Sequence, residues 1–349
     1  MEKDWKIFKG VRQPHDGIED LGIPPNWRKF DGEIIDYKPP QENSFQYRFG
    51  DQDIAMQFSG EILQVINAAL HLRRPLFITG KPGCGKSSLA YAVAHELKLG
   101  KVLKWSITSR STLSQGLYSY DAIARLHAIN IANKLNEKND AEKEMDDFSI
   151  TKFLRLGPLG TAFLPTKYPR VLLIDEIDKS DLDFPNDLLN IFEDGEFFIP
   201  EIARFAKKKD KVKVLTADSD EPVTLSFENQ NPGYVKCNAF PFIIMTSNEE
   251  KVFPPAFLRR CLRLKMQSPQ EKEVLKNIVK SHFSPEQLKD FEIIIDNFIK
   301  TKTSNEILNK HLTTDQLLNL IYLNANGVNE LKDPKDLLLP LLLNPLTDE

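Results

Sequence analysis

The chain has 349 residues, with 46 Lys and Arg against 50 Asp and Glu, a net charge of −4, 41% hydrophobic and 28% charged residues. That composition excludes a disordered polymer and a surface coated with positive charge for nucleic acid, and the length leaves room for two compact units. Three scattered cysteines, Cys84, Cys237 and Cys261, make no disulfide framework and the six histidines never gather at metal-ligand spacing, which points to a reducing, cytoplasmic setting.

Residues 1–50 carry Trp5, Phe8, Pro14, Pro24, Pro25, Trp27, Phe30, Pro39 and Pro40 without helical or strand periodicity. They read as an extended arm laid over a neighbouring domain, with the rings in its grooves. From Ile54 the apolar positions Phe58, Ile62, Val65, Ile66, Ala69 and Leu70 share one helical face, and Arg73-Arg74-Pro75 ends that helix. A short buried strand follows over Pro75–Thr79, then a helix that opens at Gly85-Lys86-Ser87 and stops at Gly100. Apolar runs at Val102–Ile107, Val171–Ile174, Phe242–Met245 and Cys261–Met266 are further strands, separated by helical or loop material. Such alternation predicts a mostly parallel sheet covered on both faces.

A helix predicted from Asp121 to Leu135 runs into the charged stretch 136–147, which reads as a solvated loop or helix end. After Met266 the pattern is helical to the end, a second and smaller domain in which Leu337–Leu343, broken by Pro340, reads as core. No segment reaches the roughly 18 apolar residues of a membrane helix, and the acids of Met1-Glu2-Lys3-Asp4 do not suit a secretion signal.

Gly80-Lys81-Pro82-Gly83-Cys84-Gly85-Lys86-Ser87, followed by Ser88, has the spacing glycine, four residues, glycine, lysine, serine, between an apolar strand and an amphipathic helix. Glycines remove the Cβ atoms that would keep backbone N–H groups from wrapping a phosphate, and the helix start adds fixed positive potential. Lys86 is placed to reach β- and γ-phosphates, the Ser87 hydroxyl to bind Mg²⁺, and Cys84 to fill a variable loop position.

Val171-Leu172-Leu173-Ile174 ends in Asp175-Glu176, at the strand end where parallel sheets bind ligands. An acidic pair there is also a helix-cap pattern, but beside a phosphate loop it divides the work: Asp175 for the Mg²⁺ shell, Glu176 for the attacking water. Asp178, Lys179, Asp181 and Asp183 suit the dipole and capping of a helix over Pro185–Phe192. Phe242-Ile243-Ile244-Met245-Thr246-Ser247-Asn248 reads as another buried strand ending in polar residues, where the Asn248 amide can meet the γ-phosphate or the water or simply form a turn, and Arg259-Arg260 precede the last strand. Either arginine could serve a neighbouring subunit as a finger that neutralises transition-state charge.

This ordered set resembles the AAA+ ATPases, with Walker A at Gly80–Ser87, Walker B at Asp175-Glu176, sensor 1 at Asn248 and the arginine finger at Arg259-Arg260. The likeness covers residues 51–349, and Leu156-Gly157-Pro158-Leu159-Gly160 looks like the MoxR-type branch. It implies an α/β P-loop NTPase fold, a parallel five-stranded sheet followed by a small helical lid, divided as an arm over 1–50, a nucleotide domain over 51–266 and a lid over 267–349. It also implies ATP and Mg²⁺ as cofactors, a homo-oligomeric ring, often a hexamer, and a von Willebrand factor A-domain protein as partner of a chaperone-like remodelling machine. Members of this branch often carry a hairpin after the Walker B helix, for which Phe192–Pro200 with Asp194-Gly195 as the turn is the candidate. Unlike many lids, Leu312-Thr313-Thr314-Asp315-Gln316 offers no sensor 2 arginine.

Two functions share this pocket: a ring ATPase that remodels a partner, and a slow-turnover nucleotide switch or scaffold in a regulatory or defence assembly. A nucleic-acid motor or GTPase subunit is disfavoured by the acidic balance and by the absence of a basic-aromatic tract.

Overall fold

The computed structural model describes residues 4–52, 54, 56, 58–135, 150–206, 211–227, 231–269, 271–288, 291–307 and 312–328. Five apolar segments form strands β1 (Leu76–Thr79), β2 (Leu103–Ser106), β3 (Val171–Asp175), β4 (Phe242–Ser247) and β5 (Leu262–Lys265). They lie in the order β5-β1-β4-β3-β2 and every neighbouring pair is parallel. Successive side chains of a strand point to opposite faces, so Phe77, Leu172, Ile174, Ile243 and Met245 enter one apolar cluster and Leu76, Ile78, Val171, Leu173 and Ile244 the other. Helices α1 (Gly60–Leu72) and α2 (Ser88–Glu96) cover the second face, and α3 (Phe184–Asp194) covers the first. This is the expected α/β architecture, with both faces of a parallel sheet buried.

Two local expectations change. The helix predicted from Ile54 starts only at Gly60, because Ser59 takes an extended conformation and its Oγ accepts the Ile62 N–H at 3.3 Å, a cap that ends helix propagation toward the N-terminus. Met56 and Phe58 still pack on the second cluster, from outside the helix. The hairpin predicted around Asp194-Gly195 does not form. Asp194 is the last residue of α3, and Gly195, left-handed at φ 67°, is its C-cap. The following strand Glu196–Phe198 pairs antiparallel with the distant Tyr234–Lys236.

The arm is extended apart from 3₁₀ turns at Gly17–Asp20 and Asn26–Arg28 and a short helix at Phe45–Phe49. Ile7, Phe8 and Ile18 join one face of the sheet domain and Phe30 the other, while Trp27 stays 81% exposed rather than filling a groove. Buried polar side chains hold the arm down. Asn67 Oδ1 accepts the N–H groups of Ile7 (2.6 Å) and Phe8 (2.9 Å), and its Nδ2 donates to Phe8 O at 2.7 Å. Glu96 accepts from Lys9 N (2.6 Å) and Val11 N (2.7 Å) and pairs with His15. Farther along, Tyr37 donates to Asp218, which is paired with the buried Arg170 at 2.8 Å.

Before β5 lies helix α4 (Pro255–Arg260), and after it come α5 (Lys272–His282), α6 (Phe291–Ile307) and α7 (Thr314–Ala325). These last three share their own apolar cluster, centred on Leu275, Val279, Ile295, Phe298, Leu317 and Ile321. The charged stretch 136–147 and the apolar run Leu337–Leu343 lie outside the described residues. Among the described residues no helix is long and apolar enough to cross a membrane, and Cys84, Cys237 and Cys261 are free and buried.

Candidate functional site

Parallel strands deliver their C-terminal ends to one edge, and the polar residues of the sequence motifs meet there. Between β1 and α2 the loop Gly80–Ser87 turns on glycines with positive φ. A Cβ on Gly83, at φ 74°, would sit 2.5 Å from the Thr313 Cβ, so both the backbone conformation and the approach of the α7 start require glycine. Lys86 is buried, and its Nζ donates to Gly80 O (2.6 Å), Lys81 O (3.0 Å) and Asn248 Oδ1 (2.9 Å). All three donors of the ammonium are thereby engaged. Gly80 and Lys81 supply carbonyls to Lys86, while Pro82, Gly83, Cys84, Gly85, Lys86, Ser87 and Ser88 line the adjoining cleft. Burial pushes the Cys84 thiol up against the opposing pull of Lys86, so it is not a reactive thiolate.

Asp175 ends β3. Its Oδ1 accepts from Ser87 Oγ at 2.7 Å and Thr246 Oγ1 at 2.8 Å, and its Oδ2 lies 3.0 Å from Lys104 Nζ on β2. Burial pushes this carboxyl up, but the two hydroxyls and the ammonium outweigh it and hold it below the usual range. Glu176 follows in a left-handed conformation (φ 59°, ψ 50°), tied by its N–H to Thr246 Oγ1 at 2.9 Å. Its half-exposed carboxylate pairs with Lys179 at 2.7 Å.

Asn248 stands one residue beyond β4. Its N–H donates to Asp178 Oδ2 at 2.7 Å, and the Ser247 hydroxyl donates to the same oxygen at 3.1 Å. Asp178 is therefore not a helix-dipole group: it is 1% exposed and bonded to the end of β4. Of the other charges expected to cap a helix, Lys179 pairs with Glu176, Asp181 is exposed, and Asp183 occupies the N-cap position of α3 with no side-chain cap bond.

A cleft of about 1060 Å³ adjoins this edge, bounded by the loop, Asp175, Glu176, Thr246 and Asn248 on one side. Ile54, Met56, Phe58, Met266 and Ile278 also line it and supply apolar surface, joined by Arg12 and Arg48 of the arm. The start of α7 reaches the same cleft, where Thr314 Oγ1 donates to Gly83 O at 3.3 Å and Asp315 lines the wall. Arg259 and Arg260 are in the last turn of α4, outside the cleft of their own chain; Arg260 is bonded to Glu193 and Arg259 is exposed.

Residues 75–261, more than half of the chain, match the AAA domain (dynein-related subfamily). The chain belongs to this family. AAA domains in general bind nucleotides and act as ATPases. Among solved structures, the chain is similar to that of C. elegans PCH-2, at 14% identity and a TM-score of 0.39, over 88% of this chain and 74% of that one. No curated protein matches.

Lys104, Thr246, Asp178, Arg12 and Arg48 were not singled out as site residues from the sequence. Thr246 had a usable signal, since strand alternation puts it on the same side as Asn248 and opposite Ile78 in the register. Lys104 sits in an alternating strand, where a lysine ordinarily reads as solvent-facing.

Proposed function

We propose that this AAA domain is the core of a Mg²⁺-dependent ATPase of the MoxR-like branch, which forms a ring and uses hydrolysis to remodel a protein partner. The observation that carries the reading is two adjoining bonded sets, Asn248–Lys86 and Ser87–Asp175–Thr246, on the wall of one cleft that Glu176 also lines. In it the Gly80–Ser88 segment cradles the phosphates, and Lys86 exchanges its loop carbonyls for phosphate oxygens. Ser87 and Asp175 fit Mg²⁺, being hard oxygen donors whose side chains already touch. Among the described residues no three His, Cys, Asp or Glu side chains are grouped so as to hold a metal ion by themselves, so phosphate oxygens and water would complete the shell. When bound, the ion would neutralise phosphate charge. Glu176 orients and polarises the attacking water, and Asn248 donates its amide to the γ-phosphate or that water.

Arg259 is the better finger for a neighbouring subunit, because Arg260 is engaged by Glu193. The von Willebrand factor A-domain partner rests on the branch likeness at Leu156–Gly160. Glu176→Gln is expected to keep nucleotide binding and lose hydrolysis; unchanged turnover would sink the mechanism. Native mass measured with and without ATP and Mg²⁺ tests the ring. Mixing Arg259→Ala with Lys86→Ala protein should restore part of the activity, and no rescue in mixed rings counts against a trans finger.

A specific feature favours the slow-switch reading as the second choice. Both acids of the pair are held by lysines, Asp175 by Lys104 and Glu176 by Lys179. Turnover that stays slow with a partner present would select the switch, and stimulation by the partner would select the remodelling machine.

A further inference from the structure

We propose that Asp178 is a positioning residue for hydrolysis, which fixes the Asn248 amide relative to Glu176 by tying the end of β4 to the turn after β3. The inference rests on the reading of Glu176 and Asn248 given above. Asp178 lies in the 3₁₀ turn Ile177–Lys179, two residues beyond Glu176. Its side chain is buried, and one oxygen, Oδ2, accepts from Ser247 Oγ (3.1 Å), Asn248 N (2.7 Å) and Glu250 N (3.4 Å). The other oxygen, Oδ1, is buried without a hydrogen-bond partner among the described residues.

That distribution is informative. Burying a carboxylate is costly, and a group kept only for the fold would be expected to satisfy both oxygens. Here every bond is spent on residues 247–250, and none on α3, which follows Asp178 in the chain. Within that segment Glu249 is held at φ 68°, a conformation that a non-glycine residue keeps only when its surroundings impose it. The loop so fixed presents Asn248 Oδ1 to Lys86 at 2.9 Å. A second tie, Glu176 N–H to Thr246 Oγ1 at 2.9 Å, joins the same two strand ends. Glu176 and Asn248 therefore stand on two loops clamped to each other, and a water held between them would feel an error in either. Misplacement of reacting groups by about 1 Å costs on the order of a hundredfold in rate, whereas ground-state binding of a nucleotide spread over the whole cleft is less sensitive.

The test is a double-mutant cycle. Asp178→Asn keeps the shape but replaces a charged acceptor of three donors with a neutral amide that is itself a donor. Nucleotide affinity, read with a fluorescent ATP analogue, should stay within about threefold while kcat falls at least about tenfold. In an Asn248→Ala background the same substitution should change kcat by less than about twofold, because its effect passes through Asn248. Asp178→Ser, smaller and still able to accept, is the second variant. Wild-type kcat in Asp178→Asn overturns the proposal, as does an effect that multiplies with that of Asn248→Ala. Loss of nucleotide binding in both Asp178 variants also overturns it, since the carboxylate then serves the fold. Wild-type turnover in Asn248→Ala removes the proposal together with the role of Asn248. Wild-type turnover in Glu176→Gln defeats the catalytic reading itself, and the two failures are thus told apart.

Discussion

At the C-terminal edge of the sheet, Lys86, Ser87, Asp175 and Asn248 line a cleft and are joined by the side-chain bonds Lys86–Asn248 and Ser87–Asp175, whereas beneath the arm Asn67 and Glu96 bond mostly to main-chain groups and are not among the residues that line it. Asn67 and Glu96 are fully buried, and each accepts two N–H groups from residues 7–11. Away from the cleft, such bonds to main-chain groups fix the path of the arm. Side chains that line the cleft can exchange partners when a ligand arrives, as Lys86 can release the Gly80 and Lys81 carbonyls. Substitutions at the edge should therefore change binding and chemistry more than stability, and substitutions beneath the arm the reverse.

The largest effect is expected at Lys86. Lys86→Ala should reduce nucleotide binding below detection in a fluorescent-analogue titration, with a thermal midpoint close to that of the parent protein. A variant that unfolds, or that still binds, breaks the comparison at its functional end.

Beneath the arm the largest stability effect belongs to Asp218. It pairs with the buried Arg170 and accepts from Tyr37 (2.5 Å) and Thr216 (2.8 Å). Asp218→Asn leaves a buried guanidinium without its counter-charge, which should cost about 3–5 kcal/mol. Burial pushes the Asp218 carboxyl up, but Arg170, Tyr37 and Thr216 outweigh it and hold it below the ordinary 3.8. For a carboxyl depressed in the folded state, the stabilisation is present above the unfolded value and lost as pH falls through the folded one. The gap between parent and variant in chemical denaturation should therefore be full at neutral pH and narrow below pH 3.8. A gap that widens with acid would show that the charge of Asp218 is not what stabilises the pair.

Asn67→Ala comes next. It strands the N–H groups of Ile7 and Phe8 and should cost about 2–4 kcal/mol, with turnover per folded molecule unchanged well below the melting transition. If turnover falls in parallel, the arm contributes to the cleft through Arg12 as well as to the fold.

The same contrast explains what the sequence made legible. The edge is built from runs in which an apolar strand stops at a polar residue, as Ile174 does at Asp175 and Met245 does at Thr246-Ser247-Asn248. Strand periodicity and the glycine spacing of the loop mark these positions locally. Asn67 and Glu96 sit on ordinary helices, and their burial depends on main-chain groups that arrive from 59 to 87 positions away. Asp178 misled for a related reason. Its neighbours in sequence, Asp181, Asp183 and Pro185, form a helix-start pattern, and only the fold brings residues 247–250 against it. The strand Glu196–Phe198 likewise reads as half of a hairpin on its nearest turn, because an antiparallel partner at Tyr234–Lys236 has no local signature. Short-range chemistry was readable where it coincided with secondary-structure boundaries, and unreadable where a lone polar residue meets a remote backbone.

Lys104 sharpens the comparison because it belongs to the edge yet is only half engaged. It lies on β2, the outermost strand on its side of the sheet, with its ammonium 3.0 Å from Asp175 Oδ2 and its side chain 41% exposed. An ammonium and a divalent cation draw on the same carboxylate charge, so Lys104→Met, which keeps much of the apolar stem and removes the charge, should ease entry of Mg²⁺. Asp175 would still accept the hydrogen bonds of the Ser87 and Thr246 hydroxyls, which keep its carboxylate in place. Because solvent screens an exposed pair, the Mg²⁺ midpoint for nucleotide binding should fall by only about two- to fivefold, and by less at high salt. The thermal midpoint should barely move. A Mg²⁺ midpoint that rises instead would mean that Lys104 helps to hold the phosphates, and would move it from competitor of the metal to a member of the nucleotide-binding cluster.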